Sequence, residues 1–446
     1  MNKVLATMNG TLTTKLLFSV GLLAALGLGL ATSGDALGEQ VDSGKMLSRD
    51  LSDSARTGAD ANIRLSDTPT LSDVILLLKQ QQVEIESLKR QLKTMDSKVE
   101  ATASVVERVA APDSALGKVA GIAARTQLGG YGEIHYNNKK NGKTDEVDAH
   151  RFVLFVNHQF NDKVSFFSEL ELEHSESGEG KEGEVELEQA FIEWDYADHH
   201  AARFGQFLVP IGIINETHEP DSFYGVERNP VEKNIIPSTW WESGVMLNGE
   251  IAAGFSYDIG VHSGFETDYE GDKAFNIRSG RQKVSKATAE DFAYTGRLKY
   301  TGIAGLELAF AVNYQENLLQ GLQPEGTDDA SALLYEAHGI YQSGPFALRA
   351  LYAEWGIDGD EAKVLGADEQ KGWYFEPSYK INPRLGVFAR YSEWDTHATS
   401  ISDTEVEQID FGLNYWLVEN VVFKADWSDQ RNGNGDSFNL GLGFSF

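Results

Sequence analysis

The sequence predicts an all-β fold, a 16-stranded antiparallel transmembrane β-barrel preceded by an N-terminal α-helical coiled coil. Three observations predict it. From residue 128 onward the chain falls into sixteen segments in which apolar and polar side chains alternate, the period-two signature of a strand with one face toward lipid. The links alternate too, with a tight turn after each even-numbered segment and a longer polar loop after each odd-numbered one. That is the wiring of a barrel with an even strand count and both ends on one side. Ahead of these segments, apolar residues recur at spacings of three and four over more than five heptads.

Taken in order, Lys3 and Lys15 flank the start of an apolar run, 16–31, that is short for a membrane span and passes into Thr32, Ser33 and Gly34. Residues 1–33 therefore read as a secretory signal peptide cleaved near Ser33, with an uncleaved anchor as the alternative. Residues 34–70 hold too few large apolar side chains to bury a core and read as a disordered linker. The coiled coil is expected over 71–111, its seam running from Leu71, Val74 and Leu78 through Ile85, Leu88 and Leu92 to Val109, with polar Gln81 and Thr102 setting register. A lone amphipathic helix lying on another domain is the alternative, for which a seam of two positions in seven is narrow. Pro112 ends the helix, and Gly117 and Gly121 mark 112–127 as a linker.

The barrel is expected over 128–446. Its strands fall near 128–137, 151–160, 164–174, 185–196, 201–209, 242–248, 252–265 and 292–301, then 306–315, 332–342, 346–355, 372–380, 385–394, 406–417, 421–428 and 438–446. Tight turns are expected at Asn161-Asp162, Asp198-His199-His200, Gly249-Glu250, 302–305, Ser343-Gly344-Pro345, Asn382-Pro383 and Glu419-Asn420. The same pattern admits fourteen or eighteen strands. A soluble sandwich would not alternate long and short links so regularly. At sixteen strands the lumen is too wide for wall side chains alone to fill, which predicts a water-filled channel. Residues 185–188 break the alternation, and their glutamates are expected above the lipid.

Composition narrows the function classes. Sixty-eight acidic and 38 basic residues give a net charge of −30, which excludes a nucleic-acid-binding role. Sixteen Tyr, 23 Phe and 8 Trp supply the aromatic girdles of a lipid-facing barrel. The absence of cysteine excludes disulfides and thiolate metal sites. No G-x-S-x-G, H-E-x-x-H or P-loop pattern occurs, and His218-Glu219 and His199-His200 have no ligand-spaced partners in the sequence. No enzyme, cofactor or metal site is therefore predicted.

The connection 209–242 is exceptional, some thirty residues without alternation and with Pro210, Pro220, Pro230 and Pro237. A structureless link of that length in a compact fold is expected to be functional. Its candidate constriction residues are Glu216, Glu219, Asp221, Glu227, Arg228, Glu232 and Lys233. Alternation places Arg203, Arg297, Lys299, Arg349, Lys380, Arg384, Arg390 and Lys424 on the lumen wall, with Glu169 and Glu171 on an earlier, acidic stretch. A basic wall facing an acidic loop would set a field across the lumen and give a weak cation preference. The alternative for any one of these charges is an ion pair that braces the wall.

The segments Arg203-Phe204-Gly205-Gln206-Phe207-Leu208-Val209-Pro210-Ile211-Gly212, Tyr224-Gly225-Val226-Glu227-Arg228 and Trp240-Trp241-Glu242-Ser243-Gly244 resemble the phosphate-selective porin O and P family. The layout with a coiled coil before the barrel is similar to the siderophore porins. The resemblance implies a homotrimeric channel among outer-membrane lipids, with the loop after the fifth strand folded inward, a periplasmic coiled coil, and passage of small hydrophilic solutes or ions. Anion or siderophore-iron uptake would be the selective forms. The closing alternation of 438–446 resembles the signal read by the barrel assembly machinery, through Phe446. This chain departs from the phosphate-selective pattern, because its long loop holds only Arg228 and Lys233 as fixed cations. The competing reading is a structural tether in which the coiled coil holds the envelope together, although no wall-binding module precedes the heptads.

Overall fold

The computed structural model describes residues 71–110, 114–140, 144–400, 404–432 and 435–446. The signal peptide and linker expected at 1–33 and 34–70 lie outside the described residues. Helix α1, Leu71–Ala110, is a single 40-residue helix, about 60 Å long at 1.5 Å per residue. Its seam side chains Leu78, Ile85, Leu88 and Leu92 are all exposed in the single chain. A second helix, α2 (Ala115–Ala123), occupies much of the stretch read as a linker. Gly117 and Gly121 do not break it, since Ala115, Leu116, Lys118 and Ala120 beside them are strong helix formers.

Sixteen strands then close into a barrel. They are β1 (Thr126–Lys139), β2 (Glu146–Asn161), β3 (Val164–Glu173), β4 (Val185–Ala197), β5 (His200–Leu208), β6 (Trp241–Ala252), β7 (Phe255–Ser263) and β8 (Phe292–Ile303). The second half comprises β9 (Leu306–Gln315), β10 (Ser331–Ser343), β11 (Phe346–Asp358), β12 (Glu369–Asn382), β13 (Leu385–Asp395), β14 (Val406–Val418), β15 (Val421–Arg431) and β16 (Ser437–Ser445). Every strand pairs antiparallel with its neighbour in sequence, and β16 returns to β1. Closure leaves no strand edge, so neighbouring strands pair with one another all the way round, as a hydrocarbon layer requires. Alternation does the sorting. On β14, Ile409, Phe411, Leu413, Tyr415 and Leu417 point outward and are exposed, whereas Asp410 and Asn414 point inward and are buried. Among the described residues no helix is long and apolar enough to cross a membrane.

Two local departures have physical causes. The turn expected at Gly249-Glu250 lies at Ala253-Gly254, because Gly254 alone meets the steric demand there. It has φ +79°, and a Cβ would sit 2.4 Å from the Gly302 backbone. The irregularity at 185–188 is a β-bulge, since Glu169 pairs Gln189 and Leu170 pairs Leu187, leaving Glu188 between them. The bulge re-aims Glu188 into the barrel, where it is buried, so that glutamate does not extend above the lipid.

The closing seam carries the terminal residue. Phe446 N–H donates to Gly130 O at 2.9 Å, and Gly130 N–H donates to Phe446 O at 3.0 Å. The Phe446 ring stacks on Phe152 at 6.3 Å. Deleting Phe446 removes two backbone bonds worth about 1 kcal/mol each and one lipid-facing ring. The heat-modifiable folded fraction in membranes is expected to fall well below wild type, and an unchanged fraction would contradict the role of this seam.

Candidate functional site in the barrel lumen

The connection between β5 and β6 folds into the barrel. Its base is closed by Val209 N–H donating to Trp240 O at 3.0 Å and by Asn215, whose amide donates to Val209 O and Trp240 O at 2.8 and 2.9 Å and accepts from Trp240 N–H at 2.7 Å. A short helix, α3 (Pro230–Asn234), is started by Pro230 and capped by Asn229, which accepts from Val231 N–H at 2.8 Å. From it Glu232 reaches back to accept from Ile213 N–H (2.8 Å), Ile214 N–H (2.7 Å) and the Tyr374 hydroxyl of β12 (2.7 Å). Burial pushes the Glu232 carboxyl above its usual range, against the opposing pull of the Ile214 amide and Tyr374. Glu232, expected as a pore charge, is fully buried and serves as an anchor. Apolar packing completes the seat. Val209, Ile211, Ile235 and Trp240 join Leu334, Leu351 and Trp355 of the wall and Phe265 and Phe275 of the β7–β8 loop in one core inside the barrel. Each such burial contributes about 1.5–3 kcal/mol.

The middle of the loop is held by wall side chains that bond its backbone. Arg151 donates to His218 O at 2.6 Å, Arg349 to Ser222 O at 2.9 Å, Asn414 to Phe223 O at 3.1 Å, Arg390 to Tyr224 O at 3.5 Å and Lys424 to Gly225 O at 2.8 Å. Asp426 accepts from Val226 N–H at 2.5 Å, and Trp355 donates to Ile235 O at 2.8 Å. The β7–β8 loop adds Arg278, which donates to Lys233 O and Ser238 O, and Arg281, which donates to Thr239 O at 2.6 Å. Arg349, Arg390 and Lys424 thus bond the loop's carbonyls rather than its carboxylates. They are the donors that buried carbonyls require.

The remaining expected wall residues divide into braces and mouth. Arg297 pairs with Asp258 at 2.8 Å and with Glu216 of the loop; Arg390 also pairs with Asp410 and Glu376, each at 3.0 Å; Arg203 pairs with Glu193 at 2.8 Å. Lys299 stands within electrostatic reach of Glu216 and Glu307. Lys380 lies 4.9 Å over the Trp416 ring, and with Arg384 of the exposed β12–β13 turn it lines a cleft of about 960 Å³ shared with Glu219 and Asp221. Asp221 also accepts from the Ser445 hydroxyl at 2.7 Å. Glu227 accepts from Asn137 at 3.0 Å and meets His135 at 3.1 Å, and Arg228 donates to the Thr239 hydroxyl at 2.5 Å.

Where the lumen does carry opposed charge, its sense is reversed from the expectation. Arg228, Arg278 and Arg281 stand close enough to repel one another, and all three belong to loops. Facing them on β3 and β4 are Glu171, Glu173, Glu186 and Glu188. Lys283 binds Glu184 at 2.8 Å and also binds Glu186. The acidic side is the wall and the basic side is loop. The β7–β8 loop, Gly264 to Asp291, supplies three of these cations, and its length alone could have marked it.

His218 locks the loop onto the acidic wall. Its Nε2 lies 3.5 Å from Glu169 and 3.4 Å from Glu188, and its Nδ1 lies 3.1 Å from Asn215 O. Glu169 also accepts from Tyr131 (3.1 Å) and Gln189 (2.7 Å). The partners His218 lacks in sequence are therefore supplied by two strands of the wall. Burial alone would lower the imidazole pKa, but the two carboxylates outweigh it and hold it at about 9.

The family described as Gram-negative porin matches residues 101–435. An uncharacterized protein of Aquifex aeolicus (strain VF5) is 29% identical over 344 residues, covering 70% of this chain and 77% of that one. Among solved structures, OmpF of Salmonella typhi in complex with daunomycin aligns with a TM-score of 0.53 at 12% identity, over 72% of this chain and 97% of that chain. The anion-selective porin from Comamonas acidovorans gives 0.51 at 13% over 72% and 99%. The outer membrane channel DcaP of Acinetobacter baumannii gives 0.50 at 15% over 72% and 97%. At these identities the structures establish the shared barrel fold.

The His218 contact predicts a pH dependence. Its pKa is raised from 6.5 to about 9, so the tie is complete below about pH 6.5 and is lost as pH rises through about 9. Current through single channels is expected to become noisier between pH 7 and pH 10 as the loop loosens, and His218→Gln is expected to be noisy at both. A wild-type trace unchanged across that range would contradict the lock.

Proposed function

The chain belongs to the Gram-negative porin family of outer-membrane channels, and on that premise we propose that it passes small hydrophilic solutes and ions past a constriction formed by the inward loop. The observation that carries this reading is the transverse polarity, with Arg228, Arg278 and Arg281 on one side and Glu173, Glu186 and Glu188 on the other. Such a field orients dipolar solutes and penalises apolar ones. At about 0.1 M salt charges act over roughly 10 Å, so the constriction decides passage while the rest of a chain of net charge −30 concentrates cations at the mouths. A weak cation preference follows.

Selective anion or siderophore-iron uptake is supported by the resemblance of 203–212, 224–228 and 240–244 alone. Lys233 is the one lysine in the inward loop, which argues against a saturable phosphate site. We assign α1 to the periplasm, a reading supported by the tight turns after the even-numbered strands, which mark that side of a porin barrel. The exposed seam of α1 supports a homotrimeric coiled coil, since three joined barrels would raise the effective concentration of three helices. Phe446 is assigned as the contact for the barrel assembly machinery.

Reversal potentials in planar bilayers under a KCl gradient test the selectivity. The wild-type channel is expected to favour K⁺ weakly, Arg228→Gln to favour it more, and the Glu173→Gln/Glu186→Gln pair to shift toward Cl⁻. A wild-type channel that prefers Cl⁻ and is blocked by low phosphate would overturn this reading and restore the phosphate-selective one.

A further inference from the structure

We propose that Asp148, His150 and His174 form a binding site for a first-row divalent transition ion such as Zn²⁺, Ni²⁺ or Cu²⁺, at the loop end of the lumen. Asp148 and His150 stand near the start of β2, and His174 directly follows β3. A β-bulge brings them together. Glu133 pairs Arg151 and His135 pairs Asp148, so β2 carries an extra residue there. His174 N–H donates to His150 O at 3.2 Å, which fixes the two histidines side by side.

The donor atoms are already placed as ligands of one ion. The Asp148 carboxylate lies 3.1 Å from His150 Nδ1 and 2.9 Å from His174 Nδ1, and all three donor atoms fall within 4.8 Å of one another. Adjacent ligands held at about 2.1 Å from a shared ion stand at such spacings. The side chains are 22–37% exposed, so an ion can reach them from the lumen. Two imidazoles and one carboxylate suit zinc, nickel or copper and disfavour magnesium or calcium, which call for all-oxygen sites. Three protein ligands leave positions for water or for a donor atom on a passing solute.

The surroundings support the ring geometry. His135 stacks on His150 at 4.6 Å and is itself held by Glu133 (3.2 Å) and Glu227 (3.1 Å). Glu173 and Glu182 add negative charge beside His174. An arriving ion takes the place of the Nδ1 protons. A neutral ring moves that proton to Nε2, and a charged ring loses one to water. The buried Glu169, Glu188 and His218 group offers only one imidazole, and it is accounted for by the loop lock.

The test is zinc binding to the purified full-length protein by isothermal titration calorimetry, paired with zinc titration of its bilayer conductance. The binding arm stands on the geometry alone, while the conductance arm rests on the channel reading. Wild type is expected to bind one Zn²⁺ per chain and lose conductance as it does so, with equal Mg²⁺ without effect. His150→Gln and His174→Gln are expected to lose at least about tenfold in zinc affinity, with His199→Gln, on an exposed turn, unchanged. Absence of zinc binding, or equal binding by all variants, overturns the site. Zinc binding without any open channel step overturns the channel reading and leaves the site standing.

Discussion

A peptide chain folded into the middle of a barrel must find a partner for each backbone amide and carbonyl it buries, and that constraint organises this molecule. The inward loop has no strand to pair with along most of its course. Its carbonyls are instead met by arginine, lysine, asparagine and tryptophan side chains from β2, β11, β13, β14 and β15 and by Arg278 and Arg281. Its amides are met by Glu232, Asn215 and Asp426. An orphaned buried group costs about 1–3 kcal/mol, so the set as a whole outweighs any one surface ion pair.

The distribution of charge in the lumen follows from this. Side chains that alternation alone would leave as free positive charge are consumed as carbonyl donors or as braces, as Arg390 shows by serving Asp410, Glu376 and Tyr224 O together. The opposed charge across the lumen is that of Arg228, Arg278 and Arg281, the last two of which also donate to loop carbonyls, facing glutamates on β3 and β4. The bulge that buries Glu188 and the bulge that gathers Asp148, His150 and His174 act alike, each turning a strand residue toward the lumen.

Much of the fold was legible in the sequence because lipid imposes a strict period-two pattern, and Phe411, Leu413 and Tyr415 reveal their strand without further context. The inward loop was legible by its length and its place after the fifth strand. The role of Glu232 was not, because a glutamate that accepts two backbone amides and one that faces water look the same in a row of letters. His218 and Arg151 were hidden for a related reason. The contacts that join them across the lumen, His218 to Glu169 and Glu188 and Arg151 to His218 O, span 30 residues or more, and register shifts at the bulges defeat simple alternation. The inversion of basic and acidic sides came from the β7–β8 loop, whose cations carry no periodicity.

The central claim is that the backbone from Val209 to Trp240 is hydrogen-bonded inside the barrel. Amide hydrogen exchange of the folded full-length protein, read on peptides covering Ile213, Ile214 and Val226, tests it most directly. Protection comparable to that of the strand amides of β12 and β14 is predicted. Exchange at the rate of an unstructured surface loop would contradict the account.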